Sequence, residues 1–169
     1  MKKLILMRHA KSDRSDLSED FERPLSERGL NEAPQMGALM EKEKIIPDLI
    51  ICSPAKRTRE TLKLVTNEIR QKIDIRFEDI IYENYYKDIT DLIFRTSDDV
   101  DTLMIVGHNP SMEELSRYFT GLDYFYDKFV TSALLLINFD VNSWRETKET
   151  RGKPIFFRTP KGQYDRGAF

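Results

Sequence analysis

The chain has 169 residues but only two histidines, His9 and His108, and each directly follows a short apolar run. Residues 4–7 lead into Arg8-His9, and residues 102–106 lead into Gly107-His108-Asn109-Pro110. A third run, Leu49–Cys52, leads into Ser53-Pro54-Ala55-Lys56-Arg57. Short apolar runs bounded by turn formers read as buried strands. In a parallel open sheet, ligands bind beyond the C-terminal ends of the strands, which lie about 4.8 Å apart. Three strand ends would therefore bring two imidazoles and at least two guanidinium groups to one rim. The planar fork of arginine donates two hydrogen bonds to a phosphate, so this chemistry suits a phosphoryl anion. Each motif alone has an ordinary explanation: a solvated strand edge, a helix cap beside a surface arginine, a turn. Both histidines falling at strand ends is what argues for a shared site.

The helix starts point the same way. Ser53 before Pro54, and Asn109 before Pro110, place capping side chains ahead of a proline at the first helical position. Ser111-Met112-Glu113-Glu114 offers a capping box one step later. Free N–H groups and the positive helix end would then face the strand ends, which favours an anion. Arg57 falls in the first helical turn, and helical side chains lean toward the N-terminus, so it can reach the same pocket.

The elements that position these groups alternate. Strands are expected at 4–7, Leu49–Cys52, 73–77 and 102–106, and helices at about 26–41, 55–70, 89–94 and 110–119. Late strands at 133–139 and 154–157, with no helix between them, should pair antiparallel. The expected fold is α/β: a three-layer α/β/α arrangement, its sheet mostly parallel with helices on both faces and an antiparallel C-terminal edge. Residues 1–169 read as a single domain, with 160–169 as a loose polar tail. The longest irregular stretches are 12–24 and 121–131.

A net charge of -2 and a pI near 5.8 argue against a nucleic-acid binder, while leaving room for a locally basic pocket. The single cysteine, Cys52, lies in an apolar run and reads as a buried thiol in a reducing compartment. The apolar run after Lys2 and Lys3 stops at Arg8, short of an export signal, and no segment approaches a membrane span. A cytoplasmic protein without membrane partners is expected.

In this order and spacing, Arg8-His9-Ala10-Lys11-Ser12, Ser53-Pro54-x-x-Arg57 with Thr61 beyond, and Gly107-His108-Asn109-Pro110 resemble the histidine phosphatase superfamily, the phosphoglycerate mutase-like group. The stretch Asp20-Phe21-Glu22-Arg23-Pro24-Leu25-Ser26-Glu27-Arg28-Gly29 resembles its small branch of phosphohistidine phosphatases. The resemblance spans residues 2–120 and carries no motif for the C-terminal third. It implies that His9 attacks phosphorus and forms a phosphohistidine that water hydrolyses. Arg8, Arg57 and His108 would hold the phosphoryl oxygens and keep His9 neutral, without cofactor or metal.

Lys11, Ser12 and Asn109 are candidate second contacts, or else solvated loop residues. Arg23 either reaches the phosphate or anchors its loop by a salt bridge. Glu83, in Ile81-Tyr82-Glu83-Asn84, is either the general acid for an ester leaving group or a solvated glutamate. Tyr82, Tyr85, Tyr86, Tyr124, Phe125, Tyr126 and Phe129 either wall the pocket or pack in the core. The expected substrate is a phosphorylated protein, with phosphohistidine as its labile group. The alternatives are a small phosphate ester and, in a different class, a phosphate-binding module without catalysis. A zinc site is disfavoured by two histidines lacking a third ligand among arginines.

Overall fold

Strands buried on both faces can be apolar throughout, and the runs that end in Arg8, Cys52 and Gly107 are the centre of the sheet. The computed structural model describes residues 1–83, 85–125 and 128–164. Its seven strands are β1 (Lys2–Arg8), β2 (Leu49–Cys52), β3 (Asp74–Phe77), β4 (Thr102–Gly107), β5 (Leu134–Phe139), β6 (Lys153–Thr159) and β7 (Gly162–Tyr164). They lie in the order β3-β2-β4-β1-β5-β6-β7. The first four strands in that order pair in parallel, and β1-β5, β5-β6 and β6-β7 pair antiparallel. The architecture is the expected α/β sheet with an antiparallel C-terminal edge.

Alternate side chains divide the core between the two faces. Ile5, Met7, Ile50, Met104 and Val106 pack under α1 (Glu27–Glu43) and α2 (Lys56–Asn67), through Ala33, Met36, Met40, Leu62 and Val65. Leu4, Leu6, Leu49, Leu103 and Ile105 pack on the other face. There they meet Ile81 of α3 (Asp79–Glu83), Ile89 and Ile93 of α4 (Tyr86–Phe94), and Met112, Leu115 and Phe119 of α5 (Ser111–Thr120). Gly37 lets α1 and α2 meet backbone to backbone, since a Cβ there would lie 2.3 Å from the Val65 carbonyl oxygen.

Four local expectations are corrected. Neither Ser53 nor Asn109 caps a helix: α2 starts after Ala55 and α5 after Pro110, both without a side-chain cap. The Ser53 hydroxyl and the Asn109 amide are instead committed to tertiary partners, described below. A five-residue 3-10 helix, Trp144–Lys148, interrupts the β5–β6 connection. It is closed by a Ser143/Glu146 capping box, and Trp144 Nε1 donates to the Val100 carbonyl at 2.7 Å. The tail is not loose throughout, because Gly162–Tyr164 pairs with β6 in a tight hairpin; residues 165–169 lie outside the described residues. Finally, α3 was not anticipated.

The β1–α1 connection closes at its base. Ser12 bridges Leu25, Asp13 N donates to the Pro24 carbonyl at 2.9 Å, and Ser26 N donates to the Lys11 carbonyl at 2.8 Å. Its distal part carries a 3-10 turn, Asp20–Glu22.

Candidate active site

Sheet register places the chemistry. Arg8 pairs with Gly107 across β1 and β4, so the next residues of both strands, His9 and His108, leave the sheet side by side. His9 N donates to the Gly107 carbonyl at 3.0 Å, and Ser53 N to the Val106 carbonyl at 3.0 Å. Beyond these strand ends lies a cavity of about 480 Å³. Arg8, His9, Lys11, Ser12, Arg23, Arg57, Glu83, His108 and Asn109, the nine candidates from the sequence, all line it.

His9 is buried, and its Nδ1 lies 2.7 Å from the Ala10 carbonyl oxygen. A carbonyl can only accept, so in the neutral ring Nδ1 carries the proton and Nε2 keeps its lone pair. Burial, followed by the neighbouring His108, Arg57 and Arg8, pushes the imidazole pKa down to about 3, against the opposing hydrogen bond to Ala10. The turn bearing the ring is tied to α2. Ala10 N donates to Thr61 Oγ1 at 2.9 Å, and that hydroxyl donates to the Arg57 carbonyl at 2.7 Å. His108 Nε2 lies 2.7 Å from Ser53 Oγ. Burial and then Arg57, with smaller effects from Arg8 and Arg23, push its pKa to about 3 as well, with Asp20 opposing.

The arginines are braced from behind. Arg8 Nη1 donates to the Phe129 carbonyl at 3.0 Å, and Asn109 Nδ2 donates to the same oxygen at 2.9 Å. Arg57 donates through Nη1 to the Asp20 carbonyl at 2.7 Å and through Nη2 to Asp20 Oδ2 at 3.1 Å. Arg23 Nη2 donates to Asp20 Oδ1 at 2.8 Å, so Arg23 anchors its loop and lines the cavity at once. Four nitrogens of cavity residues are buried with no hydrogen-bond partner among the described residues: Nε of Arg8, Arg23 and Arg57, and Nδ1 of His108. Buried donors are costly to leave unpaired, so the three arginine Nε–H groups concentrated around one cavity mark a place built for an acceptor. Arg8, Lys11, Arg14, Arg23 and Arg57 set the cavity's charge against Asp20 and Glu83.

The remaining candidates differ in how they are held. Ser12 is buried in its bridge to Leu25, while Glu83 is exposed at the end of α3. Sequence reasoning missed Asp20, Arg14 and Thr131 of the lining, and Ser53 as the partner of His108. Asp20 stands three residues before Arg23 on one tight turn, a spacing that could have flagged it. Of the aromatic cluster, Tyr82 walls the cavity, with its ring 5.8 Å from that of His108. Phe125 and Phe129 are core residues packed on Phe157, and Tyr126 lies outside the described residues. The Cys52 thiol is buried and its pKa is raised by burial, so it stays protonated. Among the described residues no group of three or more His, Cys, Asp or Glu is placed to hold a metal ion. No helix among them is long and apolar enough to cross a membrane.

These features define an α/β protein with a cationic, anion-accepting cavity around an unprotonated imidazole nitrogen. The sequence model of the histidine phosphatase superfamily (branch 1) matches residues 4–95. An uncharacterized chloroplastic protein of Arabidopsis thaliana is 32% identical over 155 residues, 86% of this chain and 70% of that protein. A crystal structure described as a candidate phosphohistidine phosphatase SixA from Agrobacterium tumefaciens is 30% identical, with a TM-score of 0.82, and covers 94% of this chain and 98% of that one. The protein histidine phosphatase SixA in complex with tungstate aligns with a TM-score of 0.79 over 94% of this chain and 97% of that one; at 20% identity it speaks for the fold alone. The chain belongs to the histidine phosphatase superfamily, and phosphatase activity is the function that membership supports.

Proposed function

We propose that the chain removes phosphoryl groups from protein phosphohistidine through a covalent intermediate on His9, without a metal ion. One observation carries this reading: an imidazole held as the Nδ1–H tautomer, with its pKa pushed to about 3, shares a cavity with three buried guanidinium Nε–H groups that have no hydrogen-bond partner among the described residues. In the first step the Nε2 lone pair attacks phosphorus. The bond to the substrate nitrogen breaks, and its electron pair leaves on the substrate imidazole, which takes a proton from solvent. In the second step water attacks the phosphorus on His9. The P–N bond breaks, Nε2 regains its lone pair, water's proton passes to solvent, and orthophosphate departs. Arg8, Arg23, Arg57 and His108 stabilise the equatorial oxygens in both steps, where most catalysis of phosphoryl transfer originates.

Two features favour phosphohistidine as substrate. The likeness to the Agrobacterium candidate runs over nearly the whole of both chains. A labile P–N bond also needs little acid assistance, and the only carboxylates lining the cavity among the described residues are the arginine-paired Asp20 and the exposed Glu83. Glu83 is also what favours a second reading, a small phosphate ester whose leaving oxygen it would protonate. A single domain carries the whole site, and a buried, protonated Cys52 suits the reducing cytoplasm. The test compares, with chelator present, hydrolysis of a phosphohistidine-bearing protein and of an aryl phosphate. Preference for the protein by kcat/KM supports the first reading. Preference for the ester, lost in Glu83→Gln, supports the second.

A further inference from the structure

We propose that Asp20 is a positioning residue that clamps Arg57 and Arg23 together from the solvent side and aims their free edges at the phosphoryl group. This rests on the phosphatase reading of the cavity. Asp20 opens the 3-10 turn of the β1–α1 connection, and its carboxylate is shared by three donors: Arg57 Nη2 at 3.1 Å, Arg23 Nη2 at 2.8 Å and the Tyr82 hydroxyl at 3.0 Å. Its own carbonyl takes Arg57 Nη1 at 2.7 Å, so Asp20 occupies the whole terminal fork of Arg57. That leaves Arg57 its Nε–H, and Arg23 its Nε–H and Nη1; both Nε atoms are buried without a partner among the described residues. A bidentate contact to phosphate can use the Nε edge while Asp20 keeps the other.

The order of the layers separates a clamp from a plug. The Asp20 side chain is 55% exposed, that of Arg23 23% and that of Arg57 7%. The carboxylate thus sits outermost with the guanidinium groups beneath it. An anion competing for the phosphoryl position would instead engage the Nε edges. Two guanidinium groups converging on one cavity repel each other, and a carboxylate bridging them offsets that repulsion before substrate arrives. Burial works to raise the Asp20 pKa, but the Tyr82 hydrogen bond and the charges of Arg57 and Arg23 outweigh it, and the net shift is downward. Asp20 therefore remains a carboxylate across the neutral range. The turn is fixed to α2 at further points, since Leu25 N donates to Glu60 Oε2 at 2.8 Å and Arg59 lies 3.8 Å from Glu22. Tyr82 ties the clamp to α3.

The test measures orthophosphate affinity by calorimetry, and KM and kcat on an aryl phosphate, for wild type, Asp20→Asn, Asp20→Glu, Tyr82→Phe and Arg57→Ala. Asp20→Asn should raise the orthophosphate Kd and the KM roughly tenfold with a smaller change in kcat. Asp20→Glu should recover part of that loss, and Tyr82→Phe should shift both constants the same way by less. In an Arg57→Ala background, Asp20→Asn should add little, because the two residues act as one unit. Orthophosphate binding by Asp20→Asn that is unchanged or tighter, with Arg57→Ala weakened, would overturn the clamp and leave the phosphatase reading standing. Equal binding by wild type and Arg57→Ala would overturn both.

Discussion

The rings of His9 and His108 lie 5.2 Å apart and tilted by 55°, because the strands that carry them are hydrogen-bonded neighbours in register. Two imidazoles so close cannot both be charged cheaply, and burial already holds each pKa near 3. An unfolded chain binds a proton on each near pH 6.5. Between about pH 3 and 6.5 the unfolded state therefore holds more protons than the folded one, and stability must fall as pH falls through that window. From pH 7 to 5 the loss should reach up to about 2 kcal/mol for each histidine, measured by urea unfolding. The variants His9→Gln and His108→Gln should each flatten the dependence. A flat profile in the parent protein would contradict the low pKa values.

Ser53 links the end of β2 to the His108 ring, its Oγ 2.7 Å from Nε2. Removing its hydroxyl leaves a buried imidazole without a hydrogen-bond partner at either nitrogen among the described residues. Ser53→Ala should cost about 1 kcal/mol of stability and lower kcat/KM several-fold, as steady-state kinetics will show. Unaltered kinetics would mean that His108 is oriented by packing alone.

Much of this site was legible because parallel strands announce themselves as apolar runs and end abruptly. Arg8, His9 and His108 follow such ends directly, and Arg57 follows the third by one helical turn. The fold was legible for the same reason, since β1, β2 and β4 carry most of the sheet's core. What escaped was set by loop conformation rather than period. The Asp20–Tyr82 contact joins residues 62 apart in sequence, through a three-residue 3-10 turn and a five-residue helix. Neither element is long enough to show a periodicity. Ser53 misled because the serine before a proline that suits a helix cap also suits a strand end, and only the position of β4 decides between them. The three-residue β7 was hidden by its brevity.

Gly29 tests the seat of the β1–α1 connection. A Cβ there would stand 2.2 Å from the Lys11 carbonyl oxygen, a backbone atom that cannot swing away. Helix propensity alone would favour Gly29→Ala by up to about 1 kcal/mol. Overpacking should reverse the sign and destabilise by roughly 1–3 kcal/mol, measured by urea unfolding, with activity falling as Lys11 shifts at the cavity edge. A stabilised variant would show that the connection yields freely.

Glu83 separates the two substrate readings. If it donates a proton to a leaving oxygen, Glu83→Gln should cut aryl phosphate hydrolysis by roughly 100-fold and leave phosphohistidine hydrolysis within a few-fold of wild type. Equal losses on both substrates would remove it from the role of acid.

The covalent intermediate on His9 can be trapped by rapid quench. The enzyme would be mixed with phosphorus-labelled phosphohistidine protein, stopped in alkali within milliseconds, digested and mapped. The expected result is an acid-labile, alkali-stable phosphoryl group on the peptide containing His9, formed and lost at rates compatible with turnover and missing in His9→Ala. Full turnover with no label on that peptide, or activity retained by His9→Ala, would contradict it.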